Sequence, residues 1–128
     1  MWARQSRFIH QLRRNGFKIA VVTSSQNCTA VLKAAKLDDF FEVQVDGNTI
    51  HAQRLAGKPA PDTFLMAAKL LGCEPERTVV IEDAISGVQA GANGNFGLVI
   101  GVARKGNAEE LKHHGAHLVV DDLAELLD

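Results

Sequence analysis

Val79-Val80-Ile81-Glu82-Asp83-Ala84-Ile85-Ser86-Gly87 is the stretch on which the reading of this chain turns. Val79 to Ile81 is a short β-branched run, the composition of a buried strand. Two carboxylates follow at once, and Ser86-Gly87 then opens a helix. Carboxylates placed directly after an apolar strand are costly unless they face water or a cation. A strand that ends in acid and turns into a helix is the repeating unit of a parallel sheet, whose ligands gather at its C-terminal edge.

Outward from this stretch, apolar strands alternate with amphipathic helices. Towards the N-terminus a helix is expected over residues 4–15, with Phe8, Ile9 and Leu12 on one face and Asn15-Gly16 as its stop. Strands are expected over 17–22 and 41–45, with a helix over 27–37 between them. Asp46-Gly47-Asn48 reads as a turn, residues 48–58 as loop, and Pro61 as the first position of a helix running to Leu71-Gly72. Towards the C-terminus come a strand over 78–81, a helix over 85–92 and a strand over 96–102. A helix over 108–114 follows, capped by Asn107 and stopped by Gly115; then a strand over 118–120 and a helix over 123–127 capped by Asp121-Asp122. Phe40, Phe41, Leu70 and Leu71 are expected in the core.

At 128 residues the chain is one domain's worth of sequence, 46% apolar and 23% charged, with a formal net charge of −1. No basic block argues for nucleic acid or an anionic membrane, and no apolar run reaches the ~20 residues that span a bilayer. The polar start, Met1 to Arg7, does not read as a secretory signal. Cys28 and Cys73 lie far apart and form no CxxC pair, which suits two reduced thiols in a cytoplasmic protein. Nothing supplies Cys28 with a dedicated His base, so it is a poor nucleophile candidate. In His113-His114-Gly115-Ala116-His117, Gly115 breaks the helix, so a helix end with cationic-capable residues is a better account than a metal site.

Two further segments carry chemistry. Lys18-Ile19-Ala20-Val21-Val22-Thr23-Ser24-Ser25 is a strand ending in small hydroxyl residues, which places O–H and backbone N–H donors at the sheet edge, both suited to phosphate oxygens. The competing reading is a polar turn in which Ser25 or Asn27 caps the next helix. In Gly57-Lys58-Pro59-Ala60-Pro61-Asp62-Thr63-Phe64, two prolines rigidify the loop and hold Lys58 at a defined position.

In this order and spacing the three segments resemble motifs two, three and four of the haloacid dehalogenase-like (HAD) phosphohydrolases, in the beta-phosphoglucomutase-like branch. The resemblance covers essentially the whole chain, residues 1–128, as the C-terminal portion of a core domain without its cap. It implies an α/β, Rossmann-like three-layer sandwich with a mostly parallel sheet. It places Thr23 as the phosphate-contacting hydroxyl with the Ser24 N–H beside it, and Ser25 and Asn27 as further substrate contacts. It places Lys58 against the charge of the transferring phosphoryl group, and Asp83 assisted by Glu82 on Mg²⁺. The partner implied is a small phosphorylated metabolite, a sugar phosphate.

Motif one of that family, an apolar strand ending in Asp-x-Asp that supplies the nucleophile, has no counterpart. The strand over 41–45 offers Gln44 where the first Asp would stand, and an amide forms no aspartyl-phosphate. The family's first strand lies between those bearing motifs two and four, so its loss would leave two exposed strand edges. Three arrangements could cover them: direct pairing of the two strands, a strand-swapped dimer or other homo-oligomer, or a separate segment binding there. The expectation is a truncated form, inactive by itself. The alternative is a non-catalytic phosphate-binding or interaction module on the same fold. A phosphorylatable receiver fits less well, because its acidic cluster and lysine would lie in a different order.

Overall fold

Five short strands and six α-helices alternate among the described residues of the computed structural model, which are 2–104 and 106–127, with side chains from Arg7 onward. The order is α1 (Trp2–Arg14), β1 (Ala20–Val22), α2 (Cys28–Ala34), β2 (Val43–Val45), α3 (Gly47–Gln53), α4 (Asp62–Leu71), β3 (Val79–Glu82), α5 (Ile85–Asn93), β4 (Leu98–Val102), α6 (Ala108–His113) and β5 (Leu118–Val120). Short 3-10 turns over Pro75–Arg77 and Leu123–Leu126 complete it. All strand pairings are parallel, as helical crossovers require.

The strands form two sheets. β1 pairs with β2, setting Ala20 against Val43 and Val22 against Val45. β3 pairs with β4 and β4 with β5, setting Val80 against Val99 and Ile100 against Leu118. β1 and β3 do not pair with each other, so direct pairing is not how the gap between them is met. Helices on both faces tie the two pieces together. On one face α4 packs on β1 and β2, and its Phe64 and Ala68 join Val80, Val88, Val99 and Leu111 in the largest core cluster. On the other, Phe8 of α1 packs with Ile100, Val102 and Val120, while the adjacent Ile9 reaches the cluster of Cys28, Leu32 and Leu37. The result is the expected three-layer α/β sandwich with its sheet incomplete.

Several boundaries differ from the sequence reading. Residues 48–58 are not all loop, because Asp46 opens α3 with a capping box: its carboxylate accepts the Thr49 N–H at 3.0 Å and the Thr49 hydroxyl faces the Asp46 N–H. The 17–22 strand begins only at Ala20, with Phe17 largely exposed. Leu70 points to solvent rather than into the core, and Phe40 and Phe41 are half-buried at the edge of the cluster around Leu32. Asn107 precedes α6 without a side-chain capping bond. Asp122 does cap the last turn, in a second capping box with Glu125. Gly16 and Gly115 end their helices at φ +84° and +124°, where glycine is favoured.

The first capping box gives a stability prediction. Asp46 is buried and accepts bonds from Gln44 Nε2 at 2.7 Å and the Thr49 N–H, which hold its carboxyl below the usual aspartate range. Asp46→Ala is expected to cost about 1–2 kcal/mol, a fall in Tm of roughly 5 °C. Because the folded pKa is the lower one, the contribution is complete above the ordinary aspartate value and disappears as pH falls through the folded value. Melting curves of both proteins should therefore converge in strong acid; a constant difference down to pH 2 would contradict the assignment.

Candidate functional site

The C-terminal ends of β1 and β3 carry the two halves of the site. At β1, Thr23 remains on the sheet, its N–H donating to the Val45 carbonyl at 2.9 Å. Its hydroxyl oxygen accepts the Ser25 N–H at 3.2 Å, and the Ser25 hydroxyl accepts the Asn27 N–H at 3.0 Å. Two successive hydroxyl turns thus curl the backbone over the strand end, leaving Ser24, Ser25 and Asn27 exposed. α2 has no side-chain cap: Asn27 makes none, and the Ser25 hydroxyl accepts only the N–H of Asn27 itself, so the helix-capping account of this segment holds for neither residue. The curl rests on α3: the Gly47 N–H donates to the Ser25 carbonyl at 2.9 Å.

At β3, Glu82 and Asp83 part company. Glu82 Oε2 accepts from Lys58 Nζ at 2.6 Å in an ion pair whose side chains are 11% and 25% exposed. Its Oε1 accepts the Asp83 N–H at 3.2 Å, which folds the carboxylate back over the strand end. The space it occupies exists because residue 87 is glycine: a Cβ there would overlap Glu82 Cγ and Cδ. Asp83 is exposed, and its carboxylate makes no hydrogen bond or ion pair among the described residues.

Lys58 is held from several sides. Its Nζ lies 5.0 Å from the centre of the Phe64 ring, which in turn packs edge-on to Phe96 at 6.0 Å. The loop around it is closed by Ala60 N–H to Gly57 carbonyl at 3.0 Å and by Ala56 N–H to Asp62 Oδ2 at 3.1 Å. Asn93, at the end of α5, donates to the Pro59 carbonyl at 3.0 Å. The sequence pointed to Lys58 but not to Phe64 or Asn93; the aromatic in Lys-Pro-x-Pro-Asp-x-Phe was the available signal.

Other candidates fall away on geometry. Gln44 donates to both Thr29 Oγ1 at 2.9 Å and Asp46 Oδ2 at 2.7 Å, so the strand nearest to an Asp-x-Asp pattern spends its carboxylate on capping α3. Asp46 is thereby buried against α3. Burial, and secondarily the Asp46 charge, push the Cys28 thiol up, the opposite of an activated thiolate. His117 Nδ1 accepts the Val99 N–H at 2.9 Å, which occupies that nitrogen in the sheet margin. Among the described residues no three His, Cys, Asp or Glu side chains gather as a metal cage. Glu82 and Asp83 alone suit an ion that keeps waters and takes phosphate oxygens, as magnesium does.

The cation and the unpaired carboxylate stand at the C-terminal end of β3 and the hydroxyl-rich turn at the C-terminal end of β1, on two separate parallel sheets, and each is a kind of group suited to phosphate oxygens. The comparisons with known proteins specify the chemistry further. The model of haloacid dehalogenase-like hydrolases matches residues 2–95, and the chain belongs to that family. It is 49% identical over 124 residues to a beta-phosphoglucomutase of Mycobacterium bovis, covering 94% of this chain and 47% of that one. Among solved structures it superposes on a beta-phosphoglucomutase from Clostridium difficile with TM-score 0.83 at 32% identity, covering 96% of this chain and 51% of the other. A HAD family hydrolase from Deinococcus radiodurans, crystallised with phosphate and sodium, gives TM-score 0.82 at 30% identity, covering 97% and 56%. The chain thus spans about half the length of these relatives.

Proposed function

We propose that this chain is the phosphate- and metal-binding part of a Mg²⁺-dependent phosphatase or phosphomutase that acts on a small phosphorylated metabolite, a sugar phosphate. The observation that carries the reading is the Lys58–Glu82 pair beside the unpaired Asp83. Asp83, with Glu82 adjoining, would hold the metal, which when bound supplies charge neutralisation to phosphate oxygens. Lys58 adds a fixed positive charge where the phosphoryl group develops negative charge. Thr23 and the backbone of Ser24 orient the phosphate oxygens, and Ser25 and Asn27 contact the rest of the substrate. Such groups position and stabilise, which is most of what a protein contributes to phosphoryl transfer. No strand among the described residues ends in Asp-x-Asp, so none of them offers the aspartate that attacks phosphorus in the resembled family. By itself the chain binds phosphate without turnover, in a cytoplasm to which its two unpaired thiols are suited. No helix among its described residues is long and apolar enough to cross a membrane.

The test is titration of the isotopically labelled chain with inorganic phosphate in the presence of Mg²⁺. Amide shifts should move at Thr23, Ser24, Lys58 and Asp83, and Thr23→Val or Lys58→Met should weaken binding about tenfold or more. Equal binding by wild type and both variants would overturn the assignment. Aryl phosphate hydrolysis by the chain that vanished in Asp83→Asn would overturn the absence of turnover.

A further inference from the structure

The loop over residues 57–61 must hold Lys58 with few backbone donors of its own, because Pro59 and Pro61 have no N–H. Its tethers run largely through carbonyls. The Gly57 carbonyl accepts the Ala60 N–H at 3.0 Å within the loop, and the Pro59 carbonyl accepts Asn93 Nδ2 at 3.0 Å from the end of α5. Asparagine side chains usually bond to their own stretch of backbone, whereas this one reaches 34 positions back along the chain. The loop and α5 also approach closely beside it, since a Cβ on Gly94 would lie 3.1 Å from Pro61 Cβ. Local structure does not account for an asparagine here. Asn93 is exposed, it stands in a helix where alanine is favoured, and the left-handed position that suits asparagine is filled by Asn95 at φ 59°.

We infer that Asn93 is a positioning residue of the phosphate site: through the Pro59 carbonyl it fixes the backbone from which Lys58 reaches Glu82 and the ligand. This rests on the phosphate reading above and deepens it, since it names a further residue on which that site's cation depends. α5 supplies the rigidity. The helix begins just after Asp83, leaves room for Glu82 at Gly87, and grips Pro59 with its last residue, so nine helical residues hold the carboxylates and the lysine loop in one frame. A lysine has a long flexible stem and loses rotamer freedom when its ammonium is fixed. Here Nζ stands 2.6 Å from Glu82 Oε2 and 5.0 Å from the centre of the Phe64 ring. Anchoring the backbone end of that stem reduces the freedom that phosphate binding must remove.

Asn93→Ala is expected to keep Tm within about 3 °C of wild type, because the lost bond is exposed and alanine favours the helix. Its affinity for inorganic phosphate in the presence of Mg²⁺ should fall about fivefold. Two readouts separate positioning from a merely structural role. The Lys58 Hε resonances, shifted upfield by the Phe64 ring in wild type, should move towards random-coil values in Asn93→Ala with or without phosphate. In a Lys58→Met background the same substitution should leave phosphate affinity unchanged, since the path runs through the lysine. Wild-type affinity or wild-type Lys58 resonances in Asn93→Ala overturn the inference, and so does a loss that persists on Lys58→Met. Phosphate binding by wild type that is absent, or indifferent to Lys58→Met, instead overturns the phosphate reading; the Lys58 resonances then still decide whether Asn93 sets the lysine.

Discussion

Gly47→Ala is expected to lower Tm by roughly 5 °C and to abolish phosphate binding at the Thr23 turn. Propensity alone gives the opposite sign, because Gly47 opens α3 and alanine in a helix is favoured over glycine by up to about 1 kcal/mol. The contacts decide otherwise. A Cβ at residue 47 would overlap the Ser24 carbonyl oxygen and lie 2.8 Å from Gln26 Cγ and 3.1 Å from the Ser25 carbonyl carbon. Two of those three atoms are backbone and cannot rotate away, and the same backbone is pinned by the Gly47 N–H bond to Ser25. Forced overpacking of this kind costs about 1–3 kcal/mol, which outweighs the propensity gain, and the relief must come from moving the Ser24-Ser25 curl. A thermal melt and a phosphate titration of the variant check both parts. A variant as stable as wild type that still shifts Ser24 on phosphate addition would show that α3 does not brace the curl.

The dependence of the phosphate turn on α3 also marks where sequence reading stopped. The three segments over 18–25, 57–64 and 79–87 are legible because each keeps its chemistry local: a strand, its terminal polar residues and the helix behind it are contiguous. α3 was hidden because Asp46-Gly47-Asn48 carries the composition of a turn, and the helix it starts is only seven residues long. The signal present was Asp46 followed three positions on by Thr49, a capping pair that uses threonine where glutamate is more usual. Leu70 misled for a different reason: it sits beside Leu71 at the end of α4, where a helix turns one of two neighbours outward.

The division of labour between Glu82 and Asp83 was equally invisible in the string, and it rests on one glycine. Gly87→Ala is expected to leave Tm within about 3 °C of wild type yet weaken phosphate binding about tenfold or more. The added methyl would occupy the volume of Glu82 Cγ and Cδ, but these are side-chain and not backbone atoms, so a change of the Glu82 rotamer relieves the overlap. Alanine in α5 recovers part of the cost through helix propensity. The loss falls on Lys58, which no longer has its 2.6 Å partner and leaves the position over Phe64. A double-mutant cycle isolates that path. Glu82→Ala removes the atoms that clash, so Gly87→Ala added to it should cost nothing further in phosphate affinity, a coupling as large as the single effect. Additive losses would mean that Gly87 acts on the ligand through the backbone at the start of α5 and not through the lysine–glutamate pair.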